Sequence, residues 1–393
     1  MSNRERSVAR PPDYDVAVLG AGIVGASAAW HLARRGMRVV VIDASGPAAA
    51  ASGASDGAVS VASKKPGVMA RLANRSLAYT RRLAEAGGPL RGVFGDRPSY
   101  YLATSPAEEQ ALGDLVAKIA ALGGPARVTA DGAKAGPDGV GPSVTRCVAL
   151  AGEGHMLGYA AVAAYLAQAG VDRLWPVTVE ALEADDAGVT VSLTDRNLRV
   201  AKVVAALGTS STALFPGLPV TPRTGQLVVT DRAPPGSLPG PLTAASYLVA
   251  KSASPGAPDK PPVVIDPLST GQFLIGSSRE EHGDCARTDF ATVRRLAARA
   301  AEFWPALRAR HVVRIFAGVR AAVSDGLPIV GPLTQSPRVV LATGFEGDGI
   351  CLSGLMGREV AAMVAGEAVS AGAEADIAAL SPARFSRREA RAR

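Results

Sequence analysis

YDVAVLGAGIVGASAAWHLARRGMRVVVID, residues 14–43, decides how this chain reads. Asp15 to Leu19 is a short apolar run of the kind that forms a buried parallel strand. Gly20-Ala21-Gly22-Ile23-Val24-Gly25 follows at once, and Ala-rich, helix-forming sequence continues to Arg35. Gly36 is a stop signal, Met37 to Ile42 is a second apolar run, and Asp43 stands eighteen residues past Gly25. That order fits a βαβ dinucleotide unit: Gly20 for the tight turn, Gly22 for close approach of backbone N–H groups to a pyrophosphate, and Gly25 for helix–strand contact. Asp43 is placed to accept hydrogen bonds from ribose hydroxyls. The alternative is a glycine-rich turn that binds nothing.

Working outward, 393 residues with 48% hydrophobic and 20% charged side chains describe a globular chain of two or three domains. The net charge of +7 is dispersed, and its densest group is Arg384, Arg387, Arg388, Arg391 and Arg393, which reads as a solvated tail. With only 5% aromatic residues, bases and rings do not interleave as nucleic-acid stacking requires, so no nucleic-acid partner is expected. Cys147, Cys285 and Cys351 form no CxxC, which argues against a disulfide framework and for a reducing, cytoplasmic setting. His31, His155, His282 and His311 lack metal-ligand spacing, and no metal is expected. No run of about twenty apolar residues occurs, so no membrane span is expected.

Past Asp43, the small residues 48–57 (AAAASGASDG) suit a cofactor-contacting loop or a linker. Residues 69–86 and 106–122 read as helices, the second opened by a capping box of Ser105 and Glu108. Residues 123–142 read as loop, 158–169 as helix, and 177–182, 189–193 and 198–206 as strands. The last runs into Gly208 and small hydroxyl residues, as a strand returning to the nucleotide sheet would. Residues 233–262 hold eight prolines and are expected to form no regular element, serving as a spacer or as a loop over a substrate site. Strands are expected at 225–230, 263–266, 272–275, 315–320 and 339–342, and a helix at 290–307. Residues 344–357, GFEGDGICLSGLMG, read as a glycine-dense turn before a helix at 358–364.

Three segments together resemble the FAD-dependent amino-acid oxidase family that includes glycine oxidase, sarcosine oxidase and D-amino-acid dehydrogenases. They are the N-terminal fingerprint with ASGASDG, the stretch WPVTVEALEADDAGVTVSLTDRNLRVAKVVAALGTSS, and FAGVRAAVSDGLPIVGP followed by VVLATGFEGDGICLSGLMGREVAAMVAGE. The resemblance implies an α/β fold. A discontinuous Rossmann-like FAD domain would take 14–87, 145–220 and 317–380, and an α+β substrate domain on an antiparallel sheet would take 88–144 and 221–316. Residues 1–13 and 381–393 would be flexible tails. It implies FAD, since only one GxGxxG is present. Gly20, Gly22, Ile23, Val24 and Gly25 would cradle the pyrophosphate, with Asp43 and Ala44 on the ribose. Family members usually carry Glu where Asp43 stands. Ser52, Gly53, Ala54 and Ser55 would line the cofactor, Val177 would meet the adenine through its backbone, and Gly208 would lie at the cofactor-side turn. Gly347, Asp348, Gly349 and Ile350 would bring N–H groups to the flavin's pyrimidine edge.

The resemblance further aligns Arg320 with an arginine that clamps the substrate carboxylate, and Tyr247 with an assisting phenol. A guanidinium fork fixes both carboxylate oxygens, which is why the chemistry asks for arginine there. A structural pairing of Arg320 with a neighbour such as Asp325 is the alternative. Positions 320 and 321 carry Arg and Ala rather than the cysteine that bonds FAD in sarcosine-oxidase-type members, so non-covalent FAD is implied. The implied reaction is C–N oxidation of glycine, an N-substituted glycine, or another secondary or D-amino acid, with O2 or another acceptor and a possible homo-oligomer. Rivals are a dehydrogenase that passes electrons to a quinone or partner subunit, and a flavin-free structural subunit of an oxidase complex.

Overall fold

The apolar run Tyr14–Leu19 is a strand with its last four residues buried. It lies at the centre of one of two sheets in this computed structural model, which describes residues 12–234, 236–252 and 262–385. Among these residues the first sheet has eight strands, ordered along its main path Ile329–Leu333, Ser336–Thr343, Asn197–Ala205, Tyr14–Leu19, Val39–Ile42 and Asp172–Leu174. The inner pairs are parallel: Leu19 stands opposite Ile42 on one side and Ala205 on the other, and Ala205 stands opposite Leu341. Continuous Val, Ile and Leu runs suit strands covered on both faces. The 198–206 segment therefore does return to the fingerprint sheet. Its hairpin partners Val179–Asp185 and Gly188–Leu193 extend from it antiparallel.

Helices cover this sheet through small residues. The fingerprint helix Ile23–Ala33 packs on Gly158–Ala169 and on the long helix Gly349–Ala365, which also packs on Val68–Leu83. A Cβ added at Gly357 would come within 2.1 Å of Ser27 Oγ, so the two helices approach about as closely as side chains allow. This corrects the reading of residues 344–357: the turn is only Phe345–Asp348, and the helix begins at Gly349, nine residues before 358. Gly354 and Gly357 are packing glycines inside it.

The second sheet has nine strands among the described residues, eight of them ordered along its main path Val312–Val323, Val220–Thr230, Phe273–Gly276, Val264–Pro267, Leu242–Ala244, Gly95–Ala103, Arg146–His155 and Ala58–Val59. It is antiparallel apart from the pairing of Leu242–Ala244 with Gly95–Ala103. Three expectations change here. Arg127–Gly132, read as loop, is a strand paired with Arg146–His155. The proline-rich 233–262 segment holds the strand Leu242–Ala244 and the helix Ser246–Ser252, because its prolines cluster on either side of an apolar stretch; its residues 253–261 lie outside the described residues. Arg146–His155 falls within 145–220 yet pairs in this sheet, since a strand's pattern does not tell which sheet receives it.

Most of the expected tails, residues 1–11 and 386–393, lie outside the described residues. Those that are described are tied down. Asp13 exchanges hydrogen bonds with Arg199, and the Arg384 guanidinium grips the Asp325 carboxylate at 2.8 Å. Arg384 is thus an anchored residue and no part of a solvated tail. Among the described residues no helix is long and apolar enough to cross a membrane, and no group of three His, Cys, Asp or Glu could hold a metal ion.

Candidate active site

The fingerprint folds as a strand, a three-residue turn and a helix. Gly20 has φ of 101°, and a Cβ there would lie 2.4 Å from Ala206 O, so the turn admits only glycine. Gly22 is the N-cap of the helix, with no side-chain cap and no acid in the first turn, which leaves the positive end of the helix open to an anion. Ile23 and Val24 are buried in the first turn, and a Cβ at Gly25 would strike Gly20 O at 2.0 Å. The Ser52 hydroxyl accepts from Ile23 N at 2.9 Å, and Ser55 Oγ donates to Ser52 O. The loop 52–55 is thereby fastened across the helix N-terminus, with Gly53 pressed on Ala48.

Asp43 holds the turn together. Its Oδ2 accepts from Ala21 N and its Oδ1 from Ser45 N and Gly46 N, all at 2.8 Å, while neighbouring Ala44 is exposed. The Val177 amide donates to Asp43 O at 2.9 Å, so only the carbonyl side of Val177 is left for a ligand. Gly208 accepts through its carbonyl from Ser211 and Thr343.

A cavity of about 110 Å³ joins this turn to the second sheet, lined by Ile23, Ser52, Ser55, Tyr247, Arg320 and Ile350 among others. Gly225 and Gly318 stand opposite each other in the paired strands Val220–Thr230 and Val312–Val323. A Cβ at Gly318 would meet Ala54 at 2.8 Å, and one at Gly225 would meet the Arg320 guanidinium at 2.4 Å. This side-chain-free patch lets the cofactor-side loop and the Arg320 head reach the cavity together. Arg320 Nη2 donates to Ser277 Oγ at 2.7 Å and Nη1 to Ser278 O at 3.2 Å. Burial pulls its pKa down, opposed in part by Tyr247 and Glu346 nearby, and a guanidinium stays charged regardless. Asp325 belongs to Arg384, not to Arg320.

At the cavity's far wall, Gly347, Gly349 and Ile350 open the helix Gly349–Ala365. Asp348 differs from the expectation: its amide closes a turn on Phe345 O at 2.8 Å and so cannot also serve a ligand. Its carboxylate takes the Lys64 ammonium at 2.7 Å. Burial pulls the Lys64 pKa down, yet Asp348 outweighs it, so the ammonium titrates above the ordinary lysine value. Glu346, at φ 46°, accepts from Arg223 and Arg279 at 2.8 Å each. Burial pushes its carboxyl up, but Arg279 and Arg223 hold it below the usual range. Lys64 and Glu346 were missed in the sequence because their partners lie far away along the chain. A larger open groove of about 540 Å³ beyond Arg97 contains none of the fingerprint residues nor Arg320.

Residues 15–363 match the family described as DAO, FAD dependent oxidoreductase. The chain belongs to this family. DAO proteins are FAD-dependent, and the cradle fits such a group: a helix N-terminus whose N-cap is a glycine with no side chain and whose first turn carries no acid, a glycine turn where a Cβ would clash, and a continuous cavity to a second helix N-terminus. The DAO chain is 27% identical over 366 residues to a glycine oxidase of Geobacillus kaustophilus (strain HTA426), covering 89% of this chain and 93% of that protein. The crystal structure of glycine oxidase from Geobacillus kaustophilus superposes with a TM-score of 0.81 at 25% identity, over 94% of this chain and 98% of that one. It is also 30% identical over 384 residues to the tRNA 5-methylaminomethyl-2-thiouridine biosynthesis bifunctional protein MnmC of Maricaulis maris (strain MCS10). That match takes in 96% of this chain, which spans about half, 56%, of the MnmC length.

Proposed function

We propose that the chain oxidises the C–N bond of an amino acid, either glycine, an N-substituted glycine, or another secondary or D-amino acid, to an imine that water then hydrolyses. FAD, bound non-covalently along the cavity, supplies the hydride acceptor. The observation that carries the reading is Arg320. Its guanidinium lines the cavity, is held by a hydroxyl and a carbonyl, and has no carboxylate in ion pair with it among the described residues. Such a fork can take a substrate carboxylate and fix the Cα–H toward the cofactor. Tyr247 lines the same cavity and is placed to assist. O2 or another acceptor completes the cycle, and a cytoplasmic setting fits the unpaired cysteines.

The test is a substitution series. Catalytic efficiency is expected to fall from wild type to Arg320→Lys to Arg320→Ala, the alanine loss being about 2–4 kcal/mol, with FAD content near normal. A decarboxylated substrate analogue should be poor for wild type and lose little more in the alanine variant. Equal losses for both substrates make Arg320 structural and overturn the reading. Oxygen consumption with peroxide formation separates an oxidase from a dehydrogenase.

A further inference from the structure

The Arg320 cavity is lined by the glycines Gly225, Gly318, Gly347 and Gly349. Two of them stand where the fold has no room for more: an added Cβ would meet the Arg320 guanidinium at 2.4 Å from Gly225 and Ala54 at 2.8 Å from Gly318. A Cβ at Gly349 would make ordinary contacts on the fingerprint side, with Phe345 at 3.5 Å and Ile23 at 3.9 Å. Gly347 is different. Its φ lies outside the left-handed region, and beyond its chain neighbours an added Cβ would come within 4 Å of Arg320 alone, with Nε at 3.9 Å and Cδ at 4.0 Å. Freedom of movement does not explain the glycine either, because the residues on both sides are pinned. The Glu346 amide donates to Ala321 O and its carboxylate takes Arg223 and Arg279, while the Asp348 amide donates to Phe345 O and its carboxylate takes Lys64. The fold thus has no use for glycine at this position, and glycine carries an entropic cost on folding that a side chain would lessen.

The space left by the missing side chain has a definite place. Behind the Arg320 cavity lies a smaller chamber of about 60 Å³, and Asp56, Ala58, Tyr247, Val264 and Gly347 line both. These residues form the neck between the two, and a side chain at 347 would grow into it beside the Arg320 head. The chamber's own charges are matched: Lys64 pairs with Asp348, Arg97 with Asp266, and Glu153 accepts from Ser60, Val61, Ala62 and Ser99. What the chamber offers a ligand is room. We propose that Gly347 is the specificity-determining residue of the site: its bare backbone holds the neck open, so that an uncharged substituent on the substrate passes over it into the inner chamber. This rests on the reading of Arg320 as the carboxylate clamp, which fixes where the substituent begins.

Calorimetry on FAD-loaded protein tests it with two carboxylates that carry sulfur in place of nitrogen, so that no amine chemistry consumes them. They are (methylthio)acetate and (isobutylthio)acetate, the second longer by three carbons. The longer ligand should bind wild type about tenfold tighter. Gly347→Ala should load FAD as wild type does, because its Cβ has room. Gly347→Val should weaken the longer ligand about 30-fold and leave the shorter within about threefold. Ala58→Leu narrows the neck from another side and should also remove the preference, and it decides the matter if the valine variant does not load FAD. An alanine variant without flavin would mean that the glycine serves the cofactor and overturns the proposal. So does equal affinity of the two ligands for wild type, or a preference that survives in either loaded neck variant. Arg320→Ala tests the clamp separately, since both ligands carry the carboxylate and should weaken alike. A size preference that depends on residue 347, with no loss in Arg320→Ala, keeps the role of Gly347 and removes the clamp; equal losses in Arg320→Ala without a size preference do the reverse.

Discussion

At Gly22 the fold and the cofactor make different demands. Its φ of −73° suits any residue, and the nearest atom to an added Cβ is Ser52 Oγ at 3.3 Å. Valine there should leave a folded protein while its methyls occupy the space a pyrophosphate needs, so Gly22→Val is expected to purify folded and colourless. A flavin spectrum at full occupancy in that variant would remove the cradle. Asp43 is different, because three amides depend on it. Asp43→Ala should lower thermal stability and FAD affinity together, each by about 1–3 kcal/mol, as titration and melting would show. Loss of affinity with unchanged melting would mean that the carboxylate serves the ribose alone. Positions 320 and 321 carry Arg and Ala and no cysteine, so FAD should pass into the supernatant on acid precipitation; a yellow pellet contradicts this.

Among elements, the contact between the fingerprint helix and the helix Gly349–Ala365 carries two further outcomes. Gly357→Ala sets a methyl against Ser27 and should cost about 1–3 kcal/mol, read from the denaturant midpoint. His31, on the same fingerprint helix, bonds Ser27 O and Tyr79 Oη, and burial drives its pKa down to about 4. Its folded pKa lies below the unfolded value near 6.5, so between these values the unfolded chain binds the extra proton. Stability is then full above about pH 6.5 and falls as pH drops toward 4, by up to roughly 3 kcal/mol for this residue. His155, also lowered to about 4 by burial, acts in the same sense. Melting at pH 7 and pH 5 checks the slope, which His31→Gln should flatten.

The elements also show where sequence reading succeeds and where it stops. Strand, glycine turn and helix at 14–33 were legible because every signal there is local. Pro106–Leu122 was legible for the same reason, though its Glu108 carboxylate reaches Thr104 N at 2.6 Å and not the Ser105 amide a capping box uses. The start of the last long helix was not legible, because glycines chosen for helix contact look the same as glycines chosen for turns. Arg127–Gly132 exists through its partner strand, and nothing within it announces a partner. Arg320 was named from a resemblance; the two facing glycines that admit its guanidinium lie nearly a hundred residues apart, at 225 and 318, and only the sheet register relates them.

Across the whole molecule, the candidate site lies where the two sheets meet, and a ligand that touches both should couple them. FAD at a hundred times its Kd should add about 2.7 kcal/mol and raise the melting temperature of both sheets in one transition. Two separate transitions, only one of them moved by FAD, would show that the sheets unfold independently. The Lys64–Asp348 pair, 284 residues apart in sequence, is a link of this kind that no local pattern could reveal.

The parallel core of the first sheet draws its three central neighbours from residues 14–19, 197–205 and 336–343. During synthesis the fingerprint leaves the ribosome before these partners, and its strand gains one flank only after residue 205 has emerged, while that flank gains its own neighbour only after residue 343. Early emergence thus gives the cofactor turn no early function. Nascent chains arrested before residue 336 should retain no FAD, however completely the fingerprint has been made, and binding should appear abruptly once the helix that begins at Gly349 has cleared the exit tunnel.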